Sequence, residues 1–122
     1  MIALNLTCNT LLAQNVETAF SFPSRLQGLL GRPELLPGQG MLLKPCRSIH
    51  TFFMRFAIDV VFTDKEGEII YLAPNLKPFK ATPVIRGACM ALELPSGTLS
   101  RTGTKKGDLI KFITEEQQNE KV

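Results

Sequence analysis

At 122 residues, 44% hydrophobic and 20% charged, the chain has the length of one domain and the composition of a globular protein, which excludes a disordered or fibrous class. Its 14 Lys and Arg against 11 Asp and Glu leave a net charge of +3, with the basic residues scattered along the chain, so a nucleic-acid partner is not expected. Three cysteines, Cys8, Cys46 and Cys89, are odd in number and contain no C-x-x-C pair, which argues against a disulfide framework and for a reducing, cytoplasmic setting. No window approaches the ~20 apolar residues of a membrane span, and the start Met1–Leu6 lacks the basic segment of a signal peptide, so no membrane partner is expected.

In chain order, Ile2, Leu4 and Leu6 alternate with smaller or polar residues as in a half-buried strand. Residues 7–10 read as a turn, and 11–14 return as the second strand of a hairpin. Ser24 is placed as the N-cap of a short helix over 25–30, with Leu26, Leu29 and Leu30 on one face, Gly31 beyond its end and Pro33 closing it. Pro37 to Gly40 is a turn, Met41 to Leu43 a short apolar run, and 49–53 a further strand. Ala57 to Thr63 is the strongest strand signal, followed by a turn at 64–67 and a returning strand at 68–72. Three prolines, Pro74, Pro78 and Pro83, mark a loop. Strands follow at 88–94 and 109–113, with one helical turn near 96–101 and a turn at 106–108 between them. Residues 1–114 form one β-rich domain and 115–122 a polar tail expected to fray. Seven or eight short strands with one or two short helices predict a compact β-sandwich or a partly open barrel.

Several stretches are specific in combination. They are Arg25-x-x-Gly28-Leu29-Leu30-Gly31-Arg32, Gly40-Met41-Leu42, Ile49-His50-Thr51-Phe52-Phe53-Met54-Arg55-Phe56-x-Ile58-Asp59-Val60-Val61-Phe62, Leu92-Glu93-Leu94-Pro95-x-Gly97-Thr98 and Gly107-Asp108. In this order they resemble the bacterial and archaeal family catalogued as Domain of Unknown Function 192. The resemblance implies a β-sandwich of jelly-roll type with a short helix in its first third, and implies no activity, substrate or cofactor.

Two carboxylates stand out because each lies within an apolar strand, where a charge is costly unless it is paired or hydrogen-bonded. Asp59 is in Ile58-Asp59-Val60-Val61 and Glu93 in Leu92-Glu93-Leu94. They read either as a polar site with shifted pKa values or as structural partners of Arg25, Arg32, Arg55 or loop amides, and the second reading explains more with less. His50, the single histidine, is a candidate base near neutral pH or, with Cys46 four residues before it, half of a metal site. No second ligand pair accompanies it, so no metal or cofactor is expected. The segment containing Thr51, Phe52, Phe53, Met54, Arg55 and Phe56 has too many large apolar residues to point all of them inward, so part of it is expected to line a groove or a contact.

The candidate ligand or polar-cluster residues are therefore Arg25, Arg32, His50, Thr51, Phe53, Arg55, Asp59 and Glu93. The expected function is non-catalytic binding of a small ligand, short glycan or peptide through a groove near residues 50–56. A homodimeric interaction protein and a carboxylate-dependent hydrolase are the alternatives.

Overall fold

A computed structural model describes residues 1–114 of the chain; the tail expected at 115–122 lies outside the described residues. Eight strands and two short helices run in the order β1 (Ile2–Asn5), β2 (Thr10–Ala13), β3 (Asn15–Ala19), α1 (Phe22–Gln27), β4 (Gln39–Leu43), β5 (Ile58–Thr63), β6 (Ile69–Leu76), β7 (Met90–Pro95), α2 (Thr98–Thr102) and β8 (Ile110–Ile113). They form a three-stranded sheet, β2-β1-β8, and a five-stranded sheet, β3-β4-β7-β5-β6. The fold is mainly β and sandwich-like, with no closed barrel among the described residues.

The five-stranded sheet is buried on both faces, and the alternation of its side chains explains how. On one face Leu42, Val61, Leu92 and Leu94 meet Ala3, Leu12 and Ile110 of the small sheet and Leu99 of α2. On the other face Met41, Leu43, Ile58, Val60, Phe62 and Ala91 are covered by no sheet. Leu29 and Leu35 after α1, Ile49 and Met54 from the segment after β4, and Ile85 and Ala88 from the segment before β7 cover them instead. Phe62, Ile58, Val60, Val61 and Leu94 are fully buried, at about 1.5–3 kcal/mol of stabilisation for each such side chain.

The β5–β6 turn is shaped by Gly67, whose φ is +90°. A Cβ there would stand 2.6 Å from the Ile110 carbonyl oxygen, so both the backbone conformation and the close approach require glycine.

The expected N-terminal hairpin, the strong strand at β5 with its returning partner β6, and the helical turn at α2 are all present. Four expectations need correction. First, the helix begins three residues early. Ser21 caps it, Ser24 sits at N3, and the two serines bond reciprocally, with Ser24 N–H donating to Ser21 Oγ at 3.2 Å and Ser21 N–H donating to Ser24 Oγ at 3.1 Å. Pro23 at the start of the first turn suits that register. The helix ends at Gly28, so Leu29 is buried from a turn beyond it and not from a helical face; the Leu26 side chain lies outside what the structure describes.

Second, β3 was not expected. It pairs parallel with β4, and its mostly exposed Asn15, Glu17 and Thr18 hide the signal that Val16 and Ala19 carry. Third, β6 continues through Pro74 to Leu76, which its place at the edge of the sheet permits. Fourth, residues 49–53 do not form a ladder strand. A single bridge joins His50 to Ala81, and Phe53 turns the chain with φ +64°.

Candidate functional site

The two unexpected carboxylates lie on adjacent strands of one sheet and face opposite ways. In the β5–β7 register Asp59 stands opposite Leu94, and Glu93 stands opposite Val60. Asp59 therefore shares the inter-sheet face with Val61 and Leu94, whereas Glu93 shares the loop-covered face with Val60 and Met41. No carboxylate pair is formed.

Asp59 is only 1% exposed, and its oxygens are held by three backbone amides. Asn75 N–H donates to one oxygen at 2.8 Å; Gly97 and Leu99 N–H donate to the other at 3.1 and 2.9 Å. Two of these donors open α2, where Gly97 in the N-cap position has no side chain to do the same work. The third comes from the irregular stretch of β6, where the register slips between Ile58 and Val60 and Asn75 takes φ +49°. Asp59 thus fixes a bulge and a helix start to the same strand. This is the loop-amide form of the structural reading, and none of its described bonds comes from an arginine.

Glu93 is also buried, at 3% exposure, but burial and the Arg32 charge, not a cradle of amides like that of Asp59, set its environment. It lines a cleft of about 300 Å³ on the loop-covered face. Arg25, Leu29, Cys46, Arg47, His50 and Met54 line the rest, drawn from α1 and its exit turn and from the segment after β4. Gly28 opens space directly beside the acid, because a Cβ there would lie 3.8 Å from Glu93 Oε1. Burial pushes the Glu93 carboxyl up to about 8, with the nearby Arg32 charge pulling weakly the other way. At neutral pH the group is therefore mostly a neutral acid, able to donate one hydrogen bond and accept others.

Cys46 is the cleft residue nearest to a reactive group. Its thiol donates to the Ser48 carbonyl at 3.2 Å, and burial pushes it above the ordinary thiol range, with that bond pulling the other way. A thiol held protonated in this way is not an activated nucleophile. Arg25 sends its guanidinium to the carbonyls of Phe20 at 3.0 Å and Lys44 at 3.5 Å, tying α1 to the end of β4. His50 stacks on Phe52 with ring centroids 5.1 Å apart. Among the described residues no cluster of three or more His, Cys, Asp and Glu could hold a metal ion.

The remaining candidates fall outside the cleft. Arg32 pairs with Glu17 near the surface. Thr51 is buried, and its hydroxyl donates to the Lys77 carbonyl and accepts from Lys80 N–H at 3.0 Å, which anchors the 77–80 turn. Phe53 is 78% exposed and Arg55 is exposed. The structure thus brings Arg25, His50 and Glu93 together and places Arg32, Thr51, Phe53, Arg55 and Asp59 elsewhere. Leu29, Arg47 and Met54 were missed as cleft residues, and no local pattern marks them, because the loops that bring them to Glu93 are irregular.

The class defined here is a small two-sheet β domain with one sheet face roofed by loops. The chain matches the family described as "Uncharacterized ACR", Domain of Unknown Function 192, over residues 5–112. It belongs to that family. It is 29% identical over 123 residues to a UPF0127 protein of Thermococcus sibiricus, covering 95% of this chain and 77% of that protein.

Among solved structures, a protein of unknown function from Novosphingobium aromaticivorans shares the fold with a TM-score of 0.80 at 21% identity, over 91% of this chain and 83% of that one. A Sinorhizobium meliloti protein described as a "putative transcription regulator" is similar with a TM-score of 0.76 at 25% identity, over 90% and 89% of the two chains. No described helix is long and apolar enough to cross a membrane.

Proposed function

We propose that the protein is a non-catalytic binding module whose ligand is a small molecule held in the cleft above Glu93. One observation carries this reading: a buried acid, neutral near pH 7, lines a cleft whose other walls are apolar side chains and arginines. A neutral acid in a cleft wall can donate one hydrogen bond to a ligand and accept others. The cleft volume of about 300 Å³ is at the small end of ligand sites, which favours a small molecule over a glycan or peptide. Leu29, Leu30, Leu43 and Met54 supply apolar wall, and Arg25 and Arg47 place positive charge at the same cleft. A compact ligand with an apolar body, an anionic end and one hydrogen-bonding group fits this chemistry.

The test is a melting screen of the full chain against small carboxylic acids and amides, repeated on Glu93→Ala and Arg47→Ala. The expected result is a set of compounds that raise the Tm of the wild type and lose that effect in both variants. Compounds that stabilise the wild type and Glu93→Ala equally, or none that stabilise either, would overturn the reading.

A further inference from the structure

Two segments, residues 44–57 and 74–89, the second beginning in the last residues of β6, cover the face of the sheet opposite the inter-sheet core. They are laced together by backbone bonds. Ile85 N–H donates to the Arg47 carbonyl at 2.7 Å, Thr82 to Ile49 at 2.8 Å, Thr51 to Lys80 at 2.8 Å and Phe79 to Thr51 at 3.0 Å. Inward-pointing Ile49, Met54 and Ile85 join the core beneath. The outward side is different in kind. Phe53 is 78%, Val84 73% and Phe79 59% exposed, with Phe52 also exposed.

Phe53 and Phe79 are both held at positive φ, +64° and +61°, a backbone region that bulky residues rarely occupy, and their rings meet edge to face at 5.7 Å. Strain kept in order to project two aromatic side chains outward points to use of those side chains. The charge of the same two segments is one-sided. They carry Lys44, Arg47, Arg55, Lys77, Lys80 and Arg86, all exposed, and not one Asp or Glu. That leaves eight of the 14 cations and all 11 acids for the rest of the chain, a net −3. The modest net charge of the whole protein hides a strongly basic, apolar-tipped surface.

We infer that this surface, the laced segments 44–57 and 74–89 with Phe53, Phe79 and Val84 at its tips, docks on an anionic lipid bilayer. The apolar tips enter the acyl boundary while the surrounding Lys and Arg lie among the headgroup phosphates. Three features choose this partner. A second copy of the same surface would bring six cations against six, which repels. Bases stack on open ring faces, but the Phe53–Phe79 rings stand at 72° to each other and Val84 has no ring at all. Side chains of carbon and hydrogen alone, exposed beside cations, are what a charged interface with an apolar interior accommodates. The inference is independent of the ligand reading, since none of these tip residues lines the cleft. It departs from the absence of a membrane partner expected from the sequence, an expectation that rested on spanning windows and a signal peptide.

The experiment is co-flotation of the full chain with vesicles of phosphatidylcholine alone and of equal parts phosphatidylcholine and phosphatidylglycerol. Binding is expected to the anionic vesicles only and to weaken with salt. Lys77→Gln with Lys80→Gln should lower it about 30-fold, on the per-residue scale of basic residues at such surfaces. Phe53→Asn with Phe79→Asn should lower it at least about tenfold, with asparagine chosen because it tolerates positive φ, and an unchanged melt would show that the fold is kept. Equal binding to both vesicle types, no binding to either, or binding untouched by the Phe variants would overturn the inference. So would tighter capture of a single-stranded oligothymidylate, measured by fluorescence anisotropy, than of anionic vesicles.

Discussion

The two faces of the five-stranded sheet solve the same problem in different ways. Each buries a carboxylate. On the inter-sheet face, Asp59 is surrounded by three amide donors and ties β5 to β6 and to the start of α2. On the loop-covered face, Glu93 has no such cradle of amides, and burial leaves it a neutral acid beside a cleft. A buried acid cradled by amides is a structural part, whereas a neutral one in a cleft wall can donate to a ligand. The contrast extends to the packing: sheet against sheet on one side, and a roof of irregular, basic, apolar-tipped loops on the other.

Large-to-small substitutions should separate the faces most. Leu94→Ala, in the inter-sheet core with no exposure, is expected to cost about 4 kcal/mol in denaturant unfolding, because two sheets cannot close the hole. Leu29→Ala, under the roof, should cost only about 2 kcal/mol, since loops relax more readily. Equal losses would erase the distinction.

Asp59→Ala comes next. It strips three amides of their acceptor, and a loss of about 2–4 kcal/mol is expected from the same measurement. A loss below about 0.5 kcal/mol would show that those bonds do not hold the bulge and helix in place.

Glu93→Gln should act in the opposite sense and depend on pH. The folded value of about 8 lies above the ordinary carboxyl value, so the folded state keeps a proton that the unfolded state releases. The wild type therefore loses stability as pH rises from about 5 to 8, and the loss levels off above that. Glutamine cannot ionise, so Glu93→Gln should match the wild type near pH 5 and exceed it by about 3–4 kcal/mol near pH 8. Parallel stability curves for the two proteins would contradict this. Phe53→Asn is the smallest effect. It removes an exposed ring and eases a left-handed backbone, so thermal unfolding should shift by less than about 0.5 kcal/mol in either direction.

Much of this contrast could be read in the sequence, for identifiable reasons. The alternation in β5 separates Asp59 from Val60, and a carboxylate between Leu92 and Leu94 could not pass for an ordinary core residue. The faces themselves were hidden, because they depend on the β5–β7 register, a long-range pairing that period-two counting does not reveal. The strand expected at 49–53 failed because Thr51 bonds to the 77–80 turn and Phe53 turns the chain, and both acts depend on a loop distant in sequence. Arg25, His50 and Glu93 were singled out for their chemistry and line one cleft. Arg47 was not singled out, since an exposed loop arginine carries no local sign of the cleft it borders. The basic surface was missed for a simpler reason: its six cations are scattered in sequence and gather only when the two segments are laced together.

The difference between the faces comes down to the protonation of Glu93, which carboxyl-carbon NMR of side-chain-labelled protein reads residue by residue, with Glu93→Gln to assign the signal. A midpoint near pH 8 for Glu93 is expected. A midpoint near 4.5 would mean that the acid is charged and solvated at neutral pH, and the case for a neutral hydrogen-bonding group in the cleft would fall with it.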